Sequence, residues 1–347
     1  MQRAKMASLS DKVEDQAFVT LTTNDSYAYG ALVLGQSLRD VGTNRQLVVM
    51  VTKQVSQPMR RQLSLIFDVI QQVDPYDSQD AARLALMSRP ELGITFTKIH
   101  CWMLTHYKKC VFLDADCLVM QNVDDLFERE ELSAAPDVGW PDIFNSGVFV
   151  FCPSETTYQG LLQCAVGQGS FDGGDQGLLN TFFSDWATLD IKRHLPFVYN
   201  MTSAISYSYK PALLRFGRDI KIVHFIGTSK PWLYSYVPST GGLSPPEGSS
   251  SGHDMAYVKA WWDVFLSKIK PNIEQEQGID LSGKLGKLCL EASPLASPSA
   301  SMDSTPTEGS HQLDWEKGHI DYLGKDSFDN IAKHMEEVAN TSPNSSK

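Results

Sequence analysis

The stretch CVFLDADCLVMQNVDDLF, residues 110–127, constrains this chain more than any other. Val111, Phe112 and Leu113 form the apolar run of a buried strand, and Leu118 to Met120 resume it. Two carboxylates, Asp114 and Asp116, stand between the two halves. An unpaired buried carboxylate costs several kcal/mol or gives up its charge. A fold that buries this segment must therefore bring positive charge to it.

In an extended segment, residues two apart share a face. Asp114 and Asp116 then converge at the strand end, and the small Ala115 leaves room for a ligand. Two convergent carboxylates suit a hard divalent ion such as Mg²⁺ or Mn²⁺. Neither the Cys-rich spacing of a zinc site nor the glycine of an EF-hand loop is present. The competing reading is a pair of acids that caps backbone or pairs with Lys or Arg, and the triplet alone leaves both open.

A second segment favours the metal. IKIVHFIGTSKPW (220–232) is an apolar strand running into His224, then Gly227 and Lys230. An imidazole adds a nitrogen ligand of the kind Mn²⁺ accepts beside carboxylate oxygens. Gly227 permits close backbone approach, and Lys230 sets a point charge where a diphosphate can lie. Taken alone, a histidine such as His224 is more often a satisfied core residue than a ligand. GSFDGGDQGLLNTFF (169–183) places paired glycines between Asp172 and Asp175, ahead of a helix. Asp175 near the helix start reads readily as a cap, but the paired glycines favour a tight, ligand-lining turn. GALVLGQSL has the glycines of a phosphate loop but lacks the Gly-Lys-Ser/Thr that completes one.

Along the chain, apolar strands alternate with helical segments. Strands are expected at 17–23, 46–52, 69–73, 110–113 and 146–151, and helices at 29–42, around 58–67, at 94–107 and at 158–167. This order predicts an α/β fold with a mixed, mostly parallel sheet flanked by helices, which binds ligands outside the carboxyl ends of its strands. Expected boundaries are a flexible arm at 1–16, a catalytic domain at 17–270, a disordered linker at 271–310 and a C-terminal motif at 311–347. The linker assignment rests on ASPLASPSASMDSTPTEGS (292–310). With 30 basic and 41 acidic residues the net charge is −11, which disfavours a uniformly basic nucleic-acid surface. The six cysteines form no Cys-x-x-Cys pair and read as reduced core residues of a cytoplasmic protein. No apolar run approaches a membrane span, so no membrane association is expected.

The D-A-D triplet, FNSGVFV, GSFDGGDQGLLN, HLPFVYN and VHFIGTSKPW, taken in this order, resemble glycosyltransferase family 8 of the Rossmann-like GT-A fold. Within it they resemble the glycogenin family of retaining, self-glucosylating enzymes. The resemblance covers roughly 17–237, and DWEKGHIDYLGKDSFDNI matches that family's C-terminal motif. It implies UDP-glucose as donor and glucose transfer to the protein's own tyrosine, followed by a short 1,4-linked glucan that primes glycogen.

By position, Leu21, Thr23, Asn24 and Tyr27 would hold uracil and ribose, with Arg89 and Lys98 reaching the donor. Asp114, Asp116 and His224 would bind Mn²⁺, the Ala115 backbone would meet the ribose, and Gly227 and Lys230 the phosphates. Asn145, Ser146, Asp172, Asp175 and Gln176 would line the glucose side. Tyr207 matches the acceptor; from the residues alone Tyr199, Tyr207 and Tyr209 are equivalent. Cys117 departs from the family, where Thr usually follows the triplet.

Retention requires either two displacements, with Asp175 as nucleophile, or same-face attack, with Asp175 as electrostatic stabiliser. The resemblance also implies a homodimer. In the tail, Phe328, Ile331, Met335 and Val338 fall on one face of a helix that Asp326 can cap. Trp315 and Tyr322 precede it as interface anchors. The implied partner of this motif is glycogen synthase. The alternatives are a family 8 transferase acting on a separate small acceptor, and an inactive scaffold for the synthase.

Overall fold

A computed structural model describes residues 13–86, 89–203, 210–246 and 252–277. The linker, the C-terminal motif, Tyr207 and Tyr209 lie outside the described residues. In chain order, β1 is Val13–Thr22, α1 Asp25–Asp40, β2 Arg45–Val51, α2 Gln57–Ser64, β3 Val69–Gln72 and α3 Ala81–Leu86. A run of 3-10 turns over Pro90–Met103 leads to β4 (Lys109–Leu113) and β5 (Cys117–Val119). Next come β6 (Ser133–Pro136), β7 (Phe144–Phe151), α4 (Glu155–Gly167) and α5 (Asp175–Phe182). The last elements are β8 (Met201–Thr202), α6 (Lys210–Phe216), β9 (Ile222–His224), α7 (Met255–Val264) and α8 (Lys270–Gln277).

Six strands form the main sheet in the order β3-β2-β1-β4-β7-β6. The pairs β3–β2, β2–β1 and β1–β4 are parallel, whereas β4–β7 and β7–β6 are antiparallel. The expected mixed, mostly parallel α/β sheet is what forms. Alternation along the strands divides the core into two layers. Val111 and Leu113 pack on the side of α1, α2 and α7, while Cys110 and Phe112 pack with Trp102, Phe149 and α5 on the other. A second sheet, β5-β9-β8, rests beside the carboxyl end of β4 and pairs Cys117 with His224.

Three details differ from the sequence expectations. β1 begins at Val13, four residues before the expected edge, because Gln16 already pairs with Lys109 and Val13 N–H donates to Asn44 O at 3.2 Å. Residues 90–103 are tight 3-10 turns rather than one α-helix; Ile99 and Trp102 are buried, but Met103 faces solvent. Helical structure runs past the domain boundary expected at 270, with α8 ending at Gln277. Among the described residues no helix is long and apolar enough to cross a membrane. Cys101, Cys110, Cys117, Cys152 and Cys164 are free thiols.

Candidate active site

The adjacent parallel strands β1 and β4 end side by side, and the candidate residues gather at their carboxyl ends. After β4 the chain does not remain extended. Cys117 N–H donates to Asp114 O at 2.9 Å, so Asp114-Ala115-Asp116 forms a tight turn between β4 and β5. Through this turn, rather than through strand alternation, both carboxylates come to face His224 Nε2, Asp116 at 3.2 Å and Asp114 at 4.0 Å. Its tightness depends on Gly30 of α1, where an added Cβ would stand 2.5 Å from Ala115 O and 2.5 Å from the Trp232 ring. The glycine that mimics a phosphate loop in sequence thus serves close packing.

Two buried lysines supply the charge that the triplet demands. Lys98 Nζ lies 2.9 Å from Asp114 Oδ1 and 2.5 Å from Asp175 Oδ2, and donates to Ser146 O at 3.1 Å. Lys230 Nζ binds Asp116 Oδ2 and donates to Phe225 O at 3.0 Å. Three carboxylates (Asp114, Asp116, Asp175) face two ammonium groups (Lys98, Lys230), which leaves one negative charge. Burial opposes ionisation of Asp116, yet Lys230 and His224 hold its carboxyl well below the usual range. Burial pushes Asp114 up to about 6, and the carboxylates of Asp116 and Asp175 add to this against the pull of Lys98. Lys98 is shared between two acids, so neither receives its full charge. Burial alone would depress the Lys98 ammonium, but Asp114 and Asp175 overcome it and raise it above the ordinary lysine value.

His224 completes the group. Its Nε2 is 3.2 Å from Asp116 Oδ1 and 4.0 Å from Asp114 Oδ2. Its Nδ1 is 2.8 Å from Asn200 Oδ1; a proton on Nδ1 donated to that carbonyl leaves the Nε2 lone pair facing the carboxylates. Asn200 Nδ2 donates to Asn145 Oδ1 at 2.8 Å, so the orientation is held two shells deep. The ring lies against Gly147, where an added Cβ would come within 2.1 Å of His224 Cε1. Two carboxylates and a correctly oriented imidazole make a donor set that fits a divalent ion with Mn²⁺-like preferences. Asp116, Cys117 and His224 also bring ligand atoms within 4.8 Å of one another. Burial and the carboxylates of Asp116 and Asp114 push the Cys117 thiol far up, so it stays neutral.

The glucose-side candidates form one hydrogen-bonded layer. Ser146 Oγ donates to Asp175 Oδ2 at 2.8 Å, while Asn145 Nδ2 and Ser146 N–H donate to Gln176 Oε1 at 3.1 and 3.2 Å. Asp175 opens α5, but Gly174 occupies the cap position, and the Asp175 side chain turns to Lys98 instead. The capping role belongs to Asp172, whose Oδ1 accepts from Ser170 Oγ, Gly174 N–H and Gly177 N–H at 2.7, 2.8 and 3.1 Å.

On the far side of the metal candidates, Asn24 caps α1 by accepting from Tyr27 N–H at 3.1 Å, and Leu21 and Thr23 are half-buried at the end of β1. Tyr27 meets Trp232 edge-on at 5.3 Å, and Tyr27 and Arg89 both lie near enough to Lys230 to act on its ammonium. Gly227 takes φ +106°, a left-handed conformation that favours glycine. Tyr199 is buried, its hydroxyl donates to Asp125, and Lys221 Nζ is 3.0 Å away, so it is not presented as an acceptor.

Four contributors escaped the sequence reading: Asn200, Gly147, Asp137 and His253. Asp137 Oδ2 accepts from Asn145 Nδ2 and Gln176 Nε2 at 2.9 and 2.8 Å. His253 is 2.7 Å from Ser203 Oγ and 2.5 Å from Ser229 O, bracing the Lys230 loop. Asn200 and Gly147 lie inside the quoted motifs HLPFVYN and FNSGVFV; His253, next to a Pro/Gly/Ser-rich loop, carries no signal.

The family model for glycosyl transferase family 8 matches residues 18–235, the span that contains all of these groups except His253. Glycogenin-1 of Oryctolagus cuniculus is 52% identical over 337 residues, covering 93% of this chain and 98% of its own. The chain belongs to the glycogenin branch of glycosyltransferase family 8. Glycogenin-2 of Homo sapiens is 57% identical over 260 residues, 75% of this chain and 52% of its own. Among solved structures, the apo form of the bifunctional glycosyltransferase WbbM overlays with a TM-score of 0.52 at 14% identity. That overlay covers 77% of this chain and 52% of that one, a likeness of fold. As a family 8 member the chain is a retaining glycosyltransferase that handles a nucleotide-sugar donor.

Proposed function

We propose that this chain is a self-glucosylating glucosyltransferase that primes glycogen synthesis, with UDP-glucose as donor, Mn²⁺ as cofactor and Tyr207 as the first acceptor. The observation that carries this reading is the convergence of Asp114, Asp116 and His224 between two buried lysines, within a chain of the glycogenin branch. Leu21, Thr23, Asn24, Tyr27 and Arg89 take the nucleoside, and the Ala115 backbone takes the ribose. Gly227 and Lys230 take the phosphates, and Asn145, Ser146, Asp172, Asp175 and Gln176 take the glucose.

Mn²⁺, when held by Asp114, Asp116 and His224, supplies positive charge to the diphosphate leaving group. Lys230 adds a second charge beside it. Lys98 bridges Asp114 and Asp175 as an ion-paired spacer between the metal side and the glucose side. A tyrosine hydroxyl has an ordinary pKa of about 10, so the acceptor gives its proton to a base or to the departing phosphate oxygen. Later glucoses are added by 1,4-linkage with retained configuration. In a homodimer one subunit can glucosylate its partner. The 17–270 segment acts as the catalytic domain in the cytoplasm. The 311–347 motif, carried on the linker, recruits glycogen synthase through Trp315, Tyr322, Phe328 and Ile331.

The donor half of this reading is tested with UDP-glucose turnover by the wild type and Asp116→Asn, with Mn²⁺ and with excess chelator. Turnover is expected only for the wild type with Mn²⁺, while both proteins keep the same far-ultraviolet circular dichroism. Full turnover by verified metal-free protein would overturn the cofactor assignment.

A further inference from the structure

Five tryptophans in the described residues, Trp102, Trp186, Trp232, Trp261 and Trp262, are at most 3% exposed, whereas Trp140 is 95% exposed. Among the described phenylalanines and tryptophans, only Phe171 and Phe216 are also exposed. Trp140 and Phe171 stand on separate loops tied to the same turn of α5. The Trp140 loop is closed by Asp137 N–H donating to Ile143 O at 2.8 Å and Ile143 N–H donating to Pro141 O at 2.8 Å. Asp137 then fastens it to Gln176, with Gln176 Nε2 donating at 2.8 Å. In the other loop Asp172, next to Phe171, accepts from Gly177 N–H at 3.1 Å. Gln176 and Gly177 directly follow Asp175, the partner of Lys98. Both exposed aromatics are thus carried on loops anchored to the glucose side of the site.

An indole left in water on a hydrogen-bonded loop forgoes a large burial gain. Its flat face is suited to the apolar C–H face of a pyranose ring, and the nearby amides and carboxylates are suited to sugar hydroxyls. The first transfer goes to a tyrosine and needs no sugar acceptor. Every later one must hold a glucan end in place.

We infer that Trp140, with Phe171 on the neighbouring α5-anchored loop, is a stacking platform for the 1,4-linked glucan acceptor during chain extension. This rests on the glucosyltransferase reading above. It separates extension from initiation, because the platform touches the growing sugar and not the tyrosine.

The test uses full-length wild type, Trp140→Ala and Trp140→Phe. Calorimetric titration with maltoheptaose reads binding, and time-resolved intact mass reads successive hexose additions. Trp140→Ala is expected to weaken maltoheptaose binding about tenfold and to slow later additions relative to the first, with Trp140→Phe recovering most of both. Unchanged binding and an unchanged ratio of later to first additions in Trp140→Ala would overturn the inference. If that result came with a fall in oligomer mass on sedimentation, the indole would belong to a contact between copies. A wild type that adds no hexose yet binds maltoheptaose through Trp140 would overturn the glucosyltransferase reading and leave the platform standing.

Discussion

At the scale of single residues, the site is a problem of buried charge solved by sharing. Asp114 and Asp116 each receive a lysine, but Lys98 is divided with Asp175, and the remaining negative charge is what a divalent ion would neutralise. His224 is useful to such an ion only if Nε2 carries the lone pair, and the Asn200 carbonyl, 2.8 Å from Nδ1, is placed to accept the ring's other proton. Asn200→Ala is therefore expected to lower Mn²⁺ affinity about 10–100-fold, read from free Mn²⁺ by electron paramagnetic resonance. An unchanged affinity would show that Asn200 does not orient the ring. The two acids, His224 and Lys230 were legible in the sequence, because charged residues interrupting apolar runs need an explanation. Asn200 and Gly147 were not singled out: an amide and a glycine become significant only once the imidazole they touch is in place.

At the scale of elements, the parallel strands β1 and β4 bring both halves of the candidate site to one edge, and α1 fits closely enough to shape the turn between the carboxylates. Gly30 is the contact point. Gly30→Ala is expected to cost ~1–3 kcal/mol, because its Cβ would meet backbone at Ala115 and the buried Trp232 ring, neither of which can yield freely. Urea unfolding checks this, and a midpoint equal to wild type would mean that α1 can shift without loss. Long strands such as β1, β2 and β7 were readable from apolar runs. The short strands β5 and β9 showed only as apolar runs beside Asp116 and before His224, and β8, at two residues, is too short for any periodicity to register. The 3-10 run over Pro90–Met103 keeps the apolar spacing of a helix, so pattern alone cannot separate the two. Asp175 illustrates a subtler limit: its position at a helix start suggests a cap, but Gly174 takes that place and frees the carboxylate for Lys98.

At the scale of the whole molecule, catalysis and recruitment are proposed to be separable, with the 17–270 domain doing one and the 311–347 motif the other. Deleting 311–347 is expected to leave self-glucosylation intact and abolish capture of glycogen synthase. A pull-down in which the truncated chain retains full affinity would move the partner site elsewhere. The central claim is that the enzyme is its own first acceptor, and intact mass after incubation with UDP-glucose and Mn²⁺ tests it most directly. Wild type is expected to gain a ladder of hexose units on its own chain. Tyr207→Phe is expected to gain none while still hydrolysing UDP-glucose and transferring to an added maltoside. A wild-type mass that stays unchanged while a separate acceptor is glucosylated would contradict the account.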